Sequence, residues 1–139
     1  MLDDKLKVEF NAPTLEEYIF LREKVGWGEV DKQMASVSLY NSLFHVVIRQ
    51  EQRLIGMGRV IGDGGLFFYV QDVAVEPDFQ RQGIGALIMN NIEMYLTGAA
   101  KKGATVGLFS VKGRESFYNR YSYRDRPNAV LGCGMCKFI

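Results

Sequence analysis

A glycine-containing loop stands between a strand-like run and an amphipathic helix, and this arrangement can bind an anion. Residues 80–85 read Gln-Arg-Gln-Gly-Ile-Gly and follow an apolar run that ends at Val75. The first N–H groups of a helix have no intrahelical partner, and the helix dipole is positive at that end. Because Gly83 and Gly85 lack a Cβ, their backbone can approach a bulky phosphate closely. The segment therefore predicts a phosphate site.

Two familiar phosphate-binding loops do not fit this segment. A P-loop ends in Gly-Lys-Ser/Thr, and no lysine lies between Val70 and Lys101. A dinucleotide-binding loop has a third small residue three positions after its second glycine, and here that residue is Ile88. We therefore expect a different phosphate-bearing ligand.

The string from Gln71 to Gly85 resembles the acetyl-CoA pyrophosphate loop of the GNAT N-acetyltransferase superfamily. It reads Gln-Asp-Val-Ala-Val-Glu-Pro before the loop, without a gap in the family's signature. Shorter pieces elsewhere look like a small bacterial subgroup of that family, so that the resemblance covers nearly the whole chain: residues 25–28, 41–44, 56–64 and 113–118.

The resemblance implies acetyl-CoA as cosubstrate and no metal. It also implies that the two central parallel strands splay at a bulge near Asp72, so that main-chain groups can pair with the pantetheine amides. The cofactor-binding residues that it predicts are Val73, Ala74, Val75, Gln80, Arg81, Gln82, Gly83, Gly85 and Ala86.

A tyrosine near the C-terminus is the second candidate for chemistry. Residues 117–123 read Phe-Tyr-Asn-Arg-Tyr-Ser-Tyr and resemble the family's Phe-Tyr-x-x-x-Gly-Phe segment, except that Ser122 stands where glycine is usual. A positive φ there would strain a serine by ~1 kcal/mol. The resemblance implies that Tyr118 is the general acid that protonates the departing thiolate. The alternative is that Tyr118 only packs its helix against the sheet.

The attacking amine must lose a proton, because amines are mostly protonated at neutral pH. Asp72 or a chain of water molecules is the favoured acceptor, with Glu76 and Asp63 as further candidates. His45 stands alone among apolar residues, and such a histidine is usually structural. The sequence has no Gly-x-Ser-x-Gly nucleophile elbow. Direct transfer in a ternary complex therefore fits better than an acetyl-enzyme.

Length and charge limit the remaining classes of function. The 139 residues, with a formal net charge of +1, predict one domain spanning residues 1–139. The near-balanced charge argues against a nucleic-acid partner. No apolar run approaches the ~20 residues that span a bilayer, so no membrane association is expected. The polar N-terminus does not resemble a signal peptide, and a cytoplasmic location is expected.

Cys133 and Cys136 form a Cys-x-x-Cys pair, which can bind a metal or act in redox chemistry. A zinc site needs two further ligands, and the only histidine, His45, is distant in sequence. A thioredoxin-type motif opens a helix, whereas this pair lies in the glycine-rich last residues. We favour two reduced thiols in or near a terminal strand, and no metal.

The apolar periodicity predicts an α+β fold with a mixed, mostly antiparallel sheet and helices on both faces. Thr14 with Glu17 predicts a capping box, Asp31 a second helix cap, and Glu51-Gln52 a hairpin turn. Gly98 is expected to stop the helix that follows the loop. The predicted strands are 5–10, 44–49, 54–61, 66–75 and 105–109, with two more after Tyr123; the predicted helices begin near 14, 31, 84 and 113.

The resemblance places the acceptor amine against residues 21–43, with Trp27, Tyr40 and Phe44 as aromatic candidates. Asp63 or Glu29 nearby would suit a small-molecule or peptide amine, aromatic or a polyamine. Two other functions stay open, a CoA-binding sensor without catalysis and a redox or metal-binding protein. The apolar tail Lys137–Ile139 would permit a homodimer.

Overall fold

The computed structural model of the chain describes residues 5–139. The chain forms two compact units, the second of which comprises Gly107–Ile139. The strands of the described part are β1 (Leu6–Glu9), β2 (Phe44–Gln50), β3 (Arg53–Gly62), β4 (Phe67–Val75) and β5 (Thr105–Gly107). Its helices are α1 (Leu15–Lys24), α2 (Lys32–Tyr40), α3 (Ile84–Ala99) and α4 (Glu115–Asn119), with a short 3-10 turn at Pro77–Phe79.

The five strands form one sheet in the order β1-β2-β3-β4-β5. The first three pairings are antiparallel, and β5 lies beside β4. The backbone N–H of Thr105 donates to the carbonyl oxygen of Leu66 at 2.8 Å, where β4 begins. The predicted mixed α+β fold is confirmed.

Helices α1 and α2 cover one face of the sheet. Tyr18 and Leu21 of α1 and Leu39 of α2 are buried together with Val47 and Met57 from the strands. The side-chain oxygens of Thr14 and Asp31 cap the two helices, and Thr14 forms the predicted capping box with Glu17. Such caps satisfy N–H groups that a helix leaves unpaired at its start.

Helix α3 covers the other face, where two glycines of β3 let it approach closely. A Cβ on Gly58 would lie 2.7 Å from Cγ2 of Ile88 and 2.9 Å from Cδ1 of Ile92. A Cβ on Gly56 would lie 3.1 Å from Ile84. The two glycines therefore allow the N-terminal half of α3 to pack closely against the middle of the sheet. This packing also positions the glycine loop that precedes the helix.

Several predicted boundaries are wrong. Gly98 does not stop α3, which continues to Ala99, because glycine in a helix costs only about 1 kcal/mol and packing outweighs that cost. The strand predicted at 105–109 ends at Gly107. The two strands predicted after Tyr123 do not form, so that Cys133 and Cys136 lie exposed in a segment without regular structure. Alternation of apolar and polar residues does not stabilise a strand that has no neighbouring strand to pair with.

We expect Gly58→Ala to lower the free energy of unfolding by about 1–3 kcal/mol, because its methyl group would push α3 away from the sheet. Gly98→Ala is the matched control, since a Cβ there meets no atom within 4 Å and alanine favours a helix. Urea unfolding of both variants measures the difference. A Gly58→Ala protein as stable as the wild type would show that α3 does not need this close approach.

Candidate active site

The β4 strand carries a bulge at the position predicted from the resemblance. Met57 pairs with Ala74 and Arg59 pairs with Gln71, so that Asp72 and Val73 together oppose Gly58. Asp72 has φ +57°, a left-handed conformation that few residues other than glycine adopt. The extra residue interrupts the regular pairing between β3 and β4 and leaves backbone groups of the bulge outside it.

The carboxylate of Asp72 is buried, with 4 % of the residue exposed, and it joins several elements. Its Oδ2 accepts hydrogen bonds from the Tyr18 hydroxyl at 2.7 Å and from Arg59 Nε at 2.8 Å. Its Oδ1 accepts from Gln71 Nε2 at 3.1 Å and lies 4.0 Å from Arg22 Nη1. The carboxylate therefore ties β4 to α1 and β3.

Arg59 extends the same network to α2. Its Nη1 donates to Ser42 Oγ at 3.1 Å and to the Ser38 carbonyl oxygen at 3.4 Å. Burial and the negative charge of Asp72 raise the pKa of Tyr18, which stays protonated and donates its hydrogen at neutral pH. These contacts fix the wall that α1 and α2 form beside the bulge.

The other predicted base candidates are engaged in structural contacts. Glu76 is buried and pairs with Arg53. Asp63 accepts hydrogen bonds from the backbone of Gly65 and Phe67 at 2.8 and 3.0 Å, and such bonds hold the pKa of its carboxyl below the ordinary value. His45 Nε2 lies 2.9 Å from the Leu39 carbonyl oxygen, which can only accept, so that Nε2 carries the proton. Burial lowers the pKa of His45.

The glycine loop follows β4 after a short 3-10 turn and leads into α3. The backbone N–H of Glu76 donates to the Ile55 carbonyl oxygen at 2.8 Å, which fixes the end of the strand. Gln80 Nε2 donates to the Val75 carbonyl oxygen at 3.0 Å, and this bond ties the loop back to β4. Arg81 and Gly83 have φ +64° and +84°, so the backbone turns sharply before the helix.

The start of α3 is suited to an anion. Residues 80–83 are exposed, Gly83 is the N-cap, and no side chain caps the helix. The first turn contains no acidic residue. The N–H groups of the first turn, from Ile84, Gly85 and Ala86, have no intrahelical acceptor and point out of the helix. Gly85 is the second residue of α3 rather than part of the loop.

Tyr118 lies on α4 in a cluster of aromatic rings. Its ring centroid is 5.0 Å from that of Phe117 and 6.4 Å from that of Tyr123, both in edge-to-face geometry. Burial raises the pKa of the Tyr118 hydroxyl, and the nearby Arg114 partly offsets this effect. Ser122 has φ +71°, as a residue in the usual glycine position would. A protonated phenol at neutral pH can act as a proton donor.

Three residues that contact Asp72 at the bulge were not predicted from the sequence. Arg59, Tyr18 and Arg22 contact the carboxylate of Asp72, yet 54 positions separate Tyr18 from Asp72. The only local signal was Arg59 between apolar residues and glycines in the second half of β3. Of the predicted aromatic candidates, Trp27 packs with α1, whereas Phe44 stacks on Tyr95 of α3 on the opposite face of the sheet, and Tyr40 is exposed.

No three His, Cys, Asp or Glu side chains come together as metal ligands among residues 5–139. None of the helices within this range combines the length and the apolar character that a bilayer-spanning helix needs.

Residues 41–125 match the sequence profile of the acetyltransferase (GNAT) domain. An uncharacterized N-acetyltransferase from Pyropia yezoensis is 28 % identical over 116 residues, which cover 81 % of this chain and 66 % of that relative. The chain thus spans slightly less than two thirds of that relative's length.

Two solved structures resemble the chain over almost its full length. A protein of unknown function from Staphylococcus aureus is 34 % identical, with 96 % of this chain and 99 % of that chain covered and a TM-score of 0.87. A GNAT family acetyltransferase from Streptococcus pneumoniae is 26 % identical, with 96 % and 97 % covered and a TM-score of 0.76.

We expect Asp72→Asn to lower the free energy of unfolding by about 3 kcal/mol or more, because Arg59 would lose the charge that it is buried against. Glu17→Gln is the control, since the Glu17–Arg49 pair is partly exposed and such pairs contribute about 1 kcal/mol or less. Urea unfolding compares the two. Equal losses in both variants would show that the Asp72 network does not hold the fold.

Proposed function

Because the chain belongs to the GNAT acetyltransferase family, we propose that it transfers an acetyl group from acetyl-CoA to a primary amine. The acceptor is a small molecule or a peptide or protein side chain. The observation that carries the proposal is the exposed loop 80–83, which follows a bulged strand after one short turn and leads through two left-handed residues into a helix without a side-chain cap. This arrangement offers a pyrophosphate group several backbone N–H donors at once.

The loop and the β4 strand would share the binding of acetyl-CoA. The pyrophosphate would accept hydrogen bonds from the backbone at Gln82, Gly83 and the first turn of α3, and Arg81 would add a positive charge. Main-chain groups of Val73, Ala74 and Val75 would pair with the pantetheine amides. The Val75 carbonyl oxygen already accepts a hydrogen bond from Gln80, so a pantetheine amide would share or replace that bond.

The transfer itself needs two proton movements. The neutral amine forms an N–C bond with the thioester carbonyl carbon, and the C–S bond breaks as the CoA thiolate leaves. Tyr118 donates its hydroxyl proton to that thiolate, and its raised pKa keeps it in the donating form. We favour water over Asp72 as the acceptor of the amine proton, because the Asp72 carboxylate is buried and already accepts three hydrogen bonds. Asp72 then acts by holding the bulge in place.

We expect acetyl-CoA to bind the wild-type protein, and a double variant with Gly83→Glu and Gly85→Glu to bind at least about tenfold more weakly, because two carboxylates would face the phosphates. Isothermal titration calorimetry measures both. Thr97→Glu with Gly98→Glu is the control, since it adds the same charge at the far end of α3 and should bind like the wild type. A folded wild type that does not bind acetyl-CoA would refute the loop assignment.

We expect Tyr118→Phe to lower kcat about 100-fold or more while leaving the Kd for acetyl-CoA unchanged, because only the proton donor is lost. Tyr121→Phe removes a hydroxyl group from the next turn and should retain kcat. Release of free thiol, followed with a panel of primary amines, measures both rates. An unchanged rate in Tyr118→Phe would exclude the general-acid role. Acetyl-CoA binding without transfer to any amine would favour the alternative of a CoA-binding sensor.

The exposed apolar residues near the C-terminus, Val130, Met135, Phe138 and Ile139, support the proposed homodimer. Light scattering of the purified protein tests it, and a monomer mass would exclude it. The cytoplasmic location stays a prediction.

A further inference from the structure

Arg22, near the end of α1, holds a positive charge in a mostly buried, aromatic environment. Its guanidinium carbon lies 5.7 Å from the centroid of the Tyr18 ring and 5.8 Å from that of the Trp27 ring. Only 19 % of its side chain is exposed. Cation–π contacts at these distances hold the guanidinium in one orientation. The side chain is thus preorganised rather than free on the surface.

The hydrogen-bonding capacity of Arg22 is only partly used. Nη2 donates to the Trp27 carbonyl oxygen at a long 3.4 Å, and Nη1 lies 4.0 Å from Asp72 Oδ1. Nε is buried and makes no hydrogen bond to any of residues 5–139. A buried donor without a partner is costly and uncommon in folded proteins. Nε itself is enclosed, so that a ligand would reach Arg22 through the part of its side chain that is exposed.

The local charge also calls for an anion. Arg22 and Arg59 both face the single carboxylate of Asp72, which leaves this cluster with a net charge of +1. Asp72 Oδ2 lies 2.8 Å from Arg59 Nε, whereas Asp72 Oδ1 lies 4.0 Å from Arg22 Nη1. The carboxylate therefore neutralises mainly the charge of Arg59. His45, which faces Arg59 from the paired position on β2, adds little charge at neutral pH because burial lowers its pKa. The positive charge of Arg22 is therefore less well neutralised than that of Arg59.

We propose that Arg22 binds a carboxylate of the acceptor, so that the acceptor is a small molecule that carries both a primary amine and a carboxylate. Asp72 lies next to Arg22 and directly precedes Val73, which belongs to the proposed pantetheine-binding strand. A ligand carboxylate on Arg22 would therefore lie beside the proposed acyl-transfer site. This assignment rests on the proposed acetyl transfer for the identity of the ligand.

The proposal changes the acceptor expected from the sequence. Trp27 was predicted as an aromatic residue of the acceptor wall, and the Arg22 guanidinium lies over its ring. A polyamine would bring further positive charge to a cluster that is already positive, and like charges repel. A guanidinium instead matches a carboxylate with two parallel N–H donors.

Trp27 provides a direct measurement, because it is the only tryptophan of the chain and contacts Arg22. Its fluorescence, excited at a wavelength where phenylalanine is silent, can be followed during titration with pairs of amines that differ only in a carboxylate. Leucine with isopentylamine, phenylalanine with phenethylamine, and lysine with cadaverine are suitable pairs. We expect the carboxylate member of at least one pair to bind about tenfold or more tightly, with and without CoA present. No preference in any pair would overturn the proposal.

Variants separate ligand binding from a structural role of Arg22. Arg22→Gln should abolish the preference for the carboxylate member, and Arg22→Lys should keep part of it. Lys24→Gln, which removes the same charge from an exposed position on the same helix, should keep all of it. If Arg22 were only structural, Arg22→Gln would weaken both members of a pair equally and leave their ratio unchanged. Should Arg22→Gln not fold, the ratio in Arg22→Lys decides.

Failure of this proposal and failure of the proposed function give different results. Carboxylate-selective binding without acetylation of any amine would keep the Arg22 site and refute acetyl transfer. Acetylation with equal KM for both members of every pair would keep the transfer and refute the Arg22 site.

Discussion

The buried carboxylate of Asp72 is the contact on which the candidate site depends. A charged group in the interior is stable only when it is paired and hydrogen-bonded, and Asp72 satisfies this requirement through Tyr18, Arg59 and Gln71. The same bonds hold a left-handed residue in the middle of β4. Arg59 in turn reaches Ser42 at the end of α2. A single negative charge thereby fixes the strand that is proposed to bind the cofactor and the helices that are proposed to face the acceptor.

On the opposite face of the sheet, close packing positions the start of α3, which is proposed to bind an anion. Gly56 and Gly58 leave room for Ile84, Ile88 and Ile92, which are almost completely buried. The start of the helix is therefore fixed while the residues just before it stay exposed. A polar network thus stabilises one face of the sheet, and close apolar packing stabilises the other. The loop lies close to the end of the bulged strand because only four residues, 76–79, separate it from β4.

Local sequence signals predicted most of the elements and the glycine turn before α3, whereas contacts between distant residues were not predictable. Thr14 and Asp31 act within one turn of their own helices, and so their roles can be read from the sequence. The distant partners of Asp72 come from two other elements, α1 and β3, and no local pattern connects them. The strands expected after Tyr123 do not form because strand formation depends on a partner that periodicity does not reveal. The base role predicted for Asp72 rests on its position in β4 and stays a prediction.

The order of the strands in the sheet bears on how the chain folds. Each strand lies next to its neighbour in sequence, in the order β1-β2-β3-β4-β5. The β2–β3 and β3–β4 pairings close over short connections, at Glu51-Gln52 and between Gly62 and Phe67. Short loops have a small closure entropy, and folds rich in such contacts assemble quickly. We therefore expect the β2–β3–β4 meander to form early in folding. The helices would then pack against its two faces.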